Sequence, residues 1–158
     1  TEQSVLMFEL FIAGDPRPQG SKKAFNRGAH IVLVEANKDL PAWREHMKKM
    51  LELKMMEFDN RFDVAVSVSL TFWLRRPKTV TRQYATQTYD LDKLTRAVFD
   101  SLTQSGCIKD DSYVVDLTAR KNYDDLHEPG VLISLTPFDN SFITQGVSDL
   151  DRKRRGLV

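Results

Sequence analysis

Phe62-Asp-Val-Ala-Val-Ser-Val-Ser-Leu-Thr-Phe-Trp-Leu74 sets Phe62, Val64, Val66, Val68, Leu70, Phe72 and Leu74 against Asp63, Ala65, Ser67, Ser69, Thr71 and Trp73. Alternation of this length marks a β-strand with one buried face, because successive side chains leave opposite sides of an extended backbone. Downstream, Leu91, Leu94, Ala97, Val98 and Leu102 recur at helical spacing, and Gly106 stands where a C-terminal cap belongs. Residues 113–123 and 131–138 then read as two further strands, joined by a loop around Glu128-Pro-Gly130. Upstream, the apolar run 5–12 reads as a buried strand ended by Gly14-Asp-Pro-Arg-Pro-Gln-Gly20. Residues 21–28 are polar and basic, and 30–34 form a second short strand. Residues 38–58 carry apolar side chains at 40, 43, 47, 50, 51 and 58, with Asn37 as a candidate cap. That pattern predicts a helix whose Trp43 and Met stripe faces a core. Helices lying between strands twice over predict class α+β: a mixed β-sheet with two main helices packed on it.

A chain of 158 residues, 41% hydrophobic and 28% charged, suits one globular domain, expected over 1–138. From Asp139 the apolar density falls and Arg152-Lys-Arg-Arg155 closes the chain, so 139–158 is expected to be a basic, mobile tail. The net charge is +1, so any affinity for nucleic acid must come from clustered charge. Cys107 is the single cysteine and has no internal disulfide partner, which fits a reducing compartment such as the cytoplasm. No basic leader precedes the first apolar run, which Glu9 interrupts, so no signal peptide and no membrane span are expected.

Two pairs of acids stand out: Asp90 and Asp92 ahead of the central helix, and Asp110 and Asp111 after it. One aspartate there is an ordinary N-cap; the second has no such explanation. A helix over 92–105 spans roughly 21 Å, and an extended return from Gly106 to Asp111 covers about 17 Å. That return is expected to bring one of the adjacent acids back to the helix start, since neighbours in a strand face opposite ways. Crowded carboxylates need an offsetting cation, and Arg96 and Lys93 lie on the same helix beside Asp92. Hard oxygen ligands suit Mg²⁺, with Mn²⁺ as a substitute. Acid-rich turns are the competing explanation. His30, His46 and His127 are scattered, no Cys/His array suits zinc, and the absence of a Walker or Gly-rich fingerprint predicts no nucleotide cofactor.

Asp90-Leu-Asp92, Leu94, Asp100, Leu102, Gly106, Asp110-Asp111 and Val114 resemble, in order and spacing, the signature of the RusA family of Holliday-junction resolvases. That signature runs D-L-D-N-x-x-K, then D-A-L, then G, then D-D-x-Q-V. Gly14-Asp-Pro-Arg-Pro-Gln-Gly-Ser-Lys-Lys23, Ala36-Asn37 and Trp43-Arg44 also resemble bacteriophage members, and the likeness spans about residues 5 to 137. The resemblance implies metal-binding catalytic acids at Asp90, Asp92 and Asp111, with Asp110 in support. The family lysine falls on Arg96 and its asparagine on Lys93, while Tyr113 replaces a glutamine. Arginine preserves charge at this position but cannot donate a proton as lysine can.

The function so implied is a structure-selective, Mg²⁺-dependent endodeoxyribonuclease that resolves four-way DNA junctions in recombination and repair. It implies a homodimer working in a bacterial host's cytoplasm. Arg75, Arg76, Lys78 and Arg82 precede the acids with no acid between, and are the first candidates for phosphate contacts, followed by Arg17, Lys22, Lys23, Arg27 and Lys121. Two other readings stay open: a junction-binding protein that does not cut, and a Mg²⁺-dependent nuclease of flaps or other branched DNA.

Overall fold

The computed structural model describes residues 7–20, 23–28, 30–34, 38–58, 61–87, 89–139 and 148–156. For 23–27, 30–34 and Phe58, the backbone alone is described. In chain order the elements are β1 (Phe8–Ala13), β2 (Lys23–Arg27), β3 (His30–Val34), α1 (Leu40–Phe58), β4 (Val66–Leu74), α2 (Leu91–Gln104), β5 (Val114–Tyr123), β6 (Gly130–Pro137) and α3 (Asp149–Arg154). Four strands form one mixed sheet in the order β1-β6-β4-β5, and β2 pairs with β3 in a separate hairpin. The α+β expectation holds.

The central alternation becomes β4 with Val66, Val68, Leu70, Phe72 and Leu74 buried. It begins at Val66 rather than Phe62. The chain at 61–64 leaves the sheet instead, and Phe62 makes a lone parallel bridge to Ile108 while Val64 is half exposed. Within residues 21–28, read from the sequence only as polar and basic, Lys23–Arg27 form β2, which turns through Gly28 into β3 with Arg27 opposite His30. Lys22 and Asn37 lie outside the described residues. Within the tail, α3 starts at Ser148, whose hydroxyl accepts from the Asp151 N–H, and carries acids first and bases last, as a helix dipole favours.

On one face of the sheet, Val131, Ile133 and Leu135 of β6 join the β4 row. Against it pack Leu40, Trp43, Met47 and Leu51 of α1 and Leu94, Ala97, Val98 and Leu102 of α2. These are the helical stripes read from the sequence. Each fully buried aliphatic or aromatic side chain adds about 1.5–3 kcal/mol of hydrophobic stabilisation.

Parallel strands need a crossover, and α2 supplies it between β4 and β5. Leu74 pairs with Tyr123 at one end of the sheet and Val66 with Val114 at the other. α2 therefore starts at the Leu74/Tyr123 end and runs back. It stops at Gly106, whose φ of 79° suits glycine, and the Gly106 and Ile108 N–H groups close the last turn on the Thr103 and Leu102 carbonyls.

Candidate active site

The turn into α2 is held in an unusual way. Tyr89 has φ of 45°, the one positive value among described non-glycine residues, a conformation that costs about 1–3 kcal/mol unless its surroundings impose it. Two cations impose it: Arg17 Nη1 donates to the Tyr89 hydroxyl at 2.8 Å and Lys121 Nζ to its carbonyl at 2.7 Å. The next residue, Asp90, is the helix N-cap, yet its carboxylate accepts no cap hydrogen bond. It stands 69% exposed, 3.2 Å from Lys93 Nζ. The capping explanation thus fails for Asp90, leaving its oxygens directed to solvent and one ammonium.

Asp92, in the first turn, opens onto a groove between α2 and β5. Leu91, Thr95 and Phe99 make one side, Leu117 and Ala119 the floor, and Arg96 and Asp111 complete the walls. Arg96 is one turn after Asp92, as the sequence suggested. Both groove acids and Arg96 are exposed.

Asp111 does not arrive by the expected route. Residues 106–113 are spent on the glycine turn, the Ile108 bridge and a 3-10 turn over Asp111–Tyr113 rather than on an extended return. Asp111 thus stands just ahead of Val114, beside the start of β4, whereas Asp90 follows the end of β4. Asp111 lines the groove near the Val114 end of β5, while Asp90 stands toward the Tyr123 end and outside that lining. Among the described residues no three His, Cys, Asp or Glu side chains gather into a set that could hold a metal ion. The donor chemistry nevertheless fits a hard divalent cation, which needs only one or two protein carboxylates when water and phosphate oxygens complete its shell.

Asp110 has a different job. Its carboxylate accepts from the Ser112 N–H at 3.1 Å and caps the 3-10 turn. Hydrogen bonds from Ser112, side chain and then backbone, hold its pKa below the ordinary 3.8. That is a supporting role for the neighbour of Asp111. Cys107 is buried, and desolvation pushes its thiol pKa up to about 12, so it is no nucleophile at neutral pH.

The basic residues divide. Arg75 is 70% exposed, with one long contact of 3.5 Å to Asp15, and Lys78 is exposed. Arg76 is committed elsewhere: Nε contacts both Asp125 oxygens at 3.0 and 3.1 Å, Nη1 donates to the Arg82 carbonyl, and the guanidinium lies 4.5 Å over the Tyr123 ring. Arg82 is half-buried beneath that staple, and Lys121 serves Tyr89. Lys23 and Arg27 sit at the ends of β2, with side chains outside the description.

Sequence reasoning gave Tyr89 no role, and no motif signals a positive φ. It also passed over a polar clasp: Gln19 Nε2 donates to Asp100 Oδ2 at 2.5 Å, Arg44 Nη1 to Gln19 Oε1 at 3.2 Å, and Gln19 N–H to the Lys93 carbonyl at 3.0 Å. The clasp fastens the segment carrying Arg17 onto α2. Gln19, Arg44 and Asp100 all belong to matched motifs, so the signal was present without its geometry.

No curated protein matches the chain significantly. The family model described as Endodeoxyribonuclease RusA matches residues 13–136, from the end of β1 to the end of β6, and takes in the acids, the clasp and the Arg75–Arg82 segment alike. On that match, covering most of its length, the chain belongs to the RusA family of endodeoxyribonucleases.

Proposed function

We propose that this chain is a homodimeric resolvase that cuts four-way DNA junctions by Mg²⁺-dependent phosphodiester hydrolysis, serving DNA recombination and repair. The observation that carries the reading is the state of Asp90 and Asp92: an N-cap carboxylate that does not cap, followed by an acid facing a groove with Arg96 and Asp111. In this reading Asp90, Asp92 and Asp111 are the residues that would hold the ion, with Mn²⁺ an acceptable substitute. A bound divalent cation supplies Lewis acidity and a water of lowered pKa. The chain's own contribution is positioning and charge. Arg96 faces the groove as a permanent cation suited to the charge that builds on a phosphate undergoing attack. Lys93 holds Asp90 in place. Arg75, exposed in the cleft at Tyr89, and Lys78, exposed on the same segment, contact the DNA backbone and orient it without reading bases.

A junction-binding protein that does not cut is the second reading. Arg96 in place of the family lysine and the ungathered acids favour it. One assay separates the two: metal-dependent nicking of a synthetic four-way junction, with linear duplex and flap substrates alongside. Cutting of the junction in Mg²⁺, and not of the duplex, is expected; binding without nicking would sink the resolvase reading, and preference for the flap would reassign the substrate. Asp92→Asn should lower the rate at least 10²-fold, more than the loss of a group that merely supports a metal ligand, with unchanged circular dichroism. Sedimentation should give a dimer, whose two-fold symmetry suits paired incisions in a symmetric junction.

A further inference from the structure

On the sheet face opposite the helices, β1 and β4 present Phe11 and Trp73, on either side of β6. Gly130 lies between their strands, opposite both Ala13 and Trp73. A Cβ there would come within 2.6 Å of the Phe11 ring, so the ring lies directly on the glycine. Phe11 is nonetheless 41% exposed. Beyond these aromatics the 124–129 loop rises, with Leu126 87% exposed, and the whole encloses a concavity of about 810 Å³.

The polar groups of this concavity are arranged unequally. Asp124 and Glu128 stand on the loop side. Asp124 is already engaged, accepting from the Leu126 and His127 N–H groups and lying 3.1 Å from His127 Nδ1. The exposed Glu128 carboxylate can accept from an exocyclic amine. Arg75 stands beside Asp124, whose N–H donates to the Leu74 carbonyl at 3.1 Å, and also lines the adjoining cleft with Arg17, Arg76 and Tyr89. The residue after Tyr89 is Asp90, so the concavity connects through Arg75 to the candidate active site.

We propose that this concavity holds one unpaired nucleobase of a branched DNA, stacked on Trp73 and Phe11, with its phosphate on Arg75. The inference rests on the junction-cutting reading and gives it a substrate class: branched DNA with an unstacked nucleotide near the branch point. Aromatic faces accept any base, so the site selects for unpairing rather than sequence. The exposed Arg75 offers a cation to the phosphate and the aromatic pair offers a surface to the base.

The test compares three DNAs at one salt concentration: a linear duplex, a fully paired four-way junction, and the same junction with two unpaired thymines at its centre. Wild-type indole emission should be quenched most by the third, and the quenching should vanish in Trp73→Phe, which retains a stacking ring and near wild-type affinity. Trp73→Ala should weaken binding of the unpaired junction about tenfold, the loss expected for one stacked base, while the duplex changes less than twofold. Leu126→Glu should act in the same direction, and its exposure protects the fold from the change. Binding of all three DNAs by Trp73→Ala and Leu126→Glu unchanged from wild type, or an altered sedimentation coefficient with unaltered DNA affinity, would overturn the proposal; the latter would make the concavity a subunit contact. Failure of the wild type to bind any branched DNA would instead sink the resolvase reading, and the base site with it.

Discussion

At the scale of single residues, the two cations of the site have separate employments. Lys93 is within 3.2 Å of Asp90, at the helix start, while Arg96 shares the groove with Asp92 and Asp111. Arg96→Ala is therefore expected to cost more activity than Lys93→Ala, and Arg96→Lys to keep most of it, because charge and not proton transfer is what arginine offers. Single-turnover rates in saturating Mg²⁺ decide the matter; two near-neutral alanine variants would show that neither cation acts in the reaction. The adjacent acids differ in the same way. Asp110 stabilises its turn as a carboxylate, with a pKa held low by Ser112, so its contribution is present above the ordinary 3.8 and is lost as pH falls through its lower folded value. Asp110→Asn should shift the acid limb of the thermal stability profile while sparing cutting at neutral pH, whereas Asp111→Asn should do the reverse. The two acid pairs themselves were legible from their spacing. That the Asp90 side chain makes no cap bond was not, and neither was the positive φ of Tyr89 before it, whose partners Arg17 and Lys121 lie far apart in sequence.

Among the elements, β4, α1 and α2 were legible because one buried face imposes one period on each, and Gly106 because a left-handed cap demands glycine. Boundaries were less so. Phe62 and Val64 continue the alternation of β4, yet the chain there leaves for Ile108, a long-range pairing that no local pattern records. β2 was missed because its residues are basic and polar, and its partnership with β3 is what makes it a strand. The Arg75–Arg82 segment shows the same limit: its composition suggests a uniform phosphate grip, but Arg76 is a staple to Asp125, Tyr123 and the Arg82 carbonyl. Arg75→Ala should flatten the slope of log affinity against log salt by about one unit without altering the melting temperature. Arg76→Ala should lower the melting temperature and increase protease sensitivity around 75–82. Equal salt effects with equal stability would return both residues to a single phosphate-binding class.

For the whole molecule, 23 basic and 22 acidic residues leave no net attraction for DNA, so affinity depends on where charges sit. The cations Arg75 and Arg76 line the cleft at Tyr89, whereas the acids Asp92 and Asp111 line the groove between α2 and β5. Phosphates drawn toward the groove by the first set meet repulsion from the second unless a cation intervenes. Binding and metal should therefore be linked: junction affinity should rise as Mg²⁺ is added at constant ionic strength, and Asp92→Asn or Asp111→Asn should bind more tightly than wild type when Mg²⁺ is chelated. Since linkage is reciprocal, DNA should tighten the ion by the same factor, which accords with acids that the described residues do not gather into a three-ligand set. Chelation should abolish cutting yet leave salt-sensitive binding, because the phosphate contacts of Arg75 and Lys78 need no metal. Gel-shift titrations across salt, with and without chelator, measure both terms. Cutting that continues in excess chelator would remove the metal from the mechanism, and affinity indifferent to Mg²⁺ in wild type and both variants would place the scissile phosphate away from this groove.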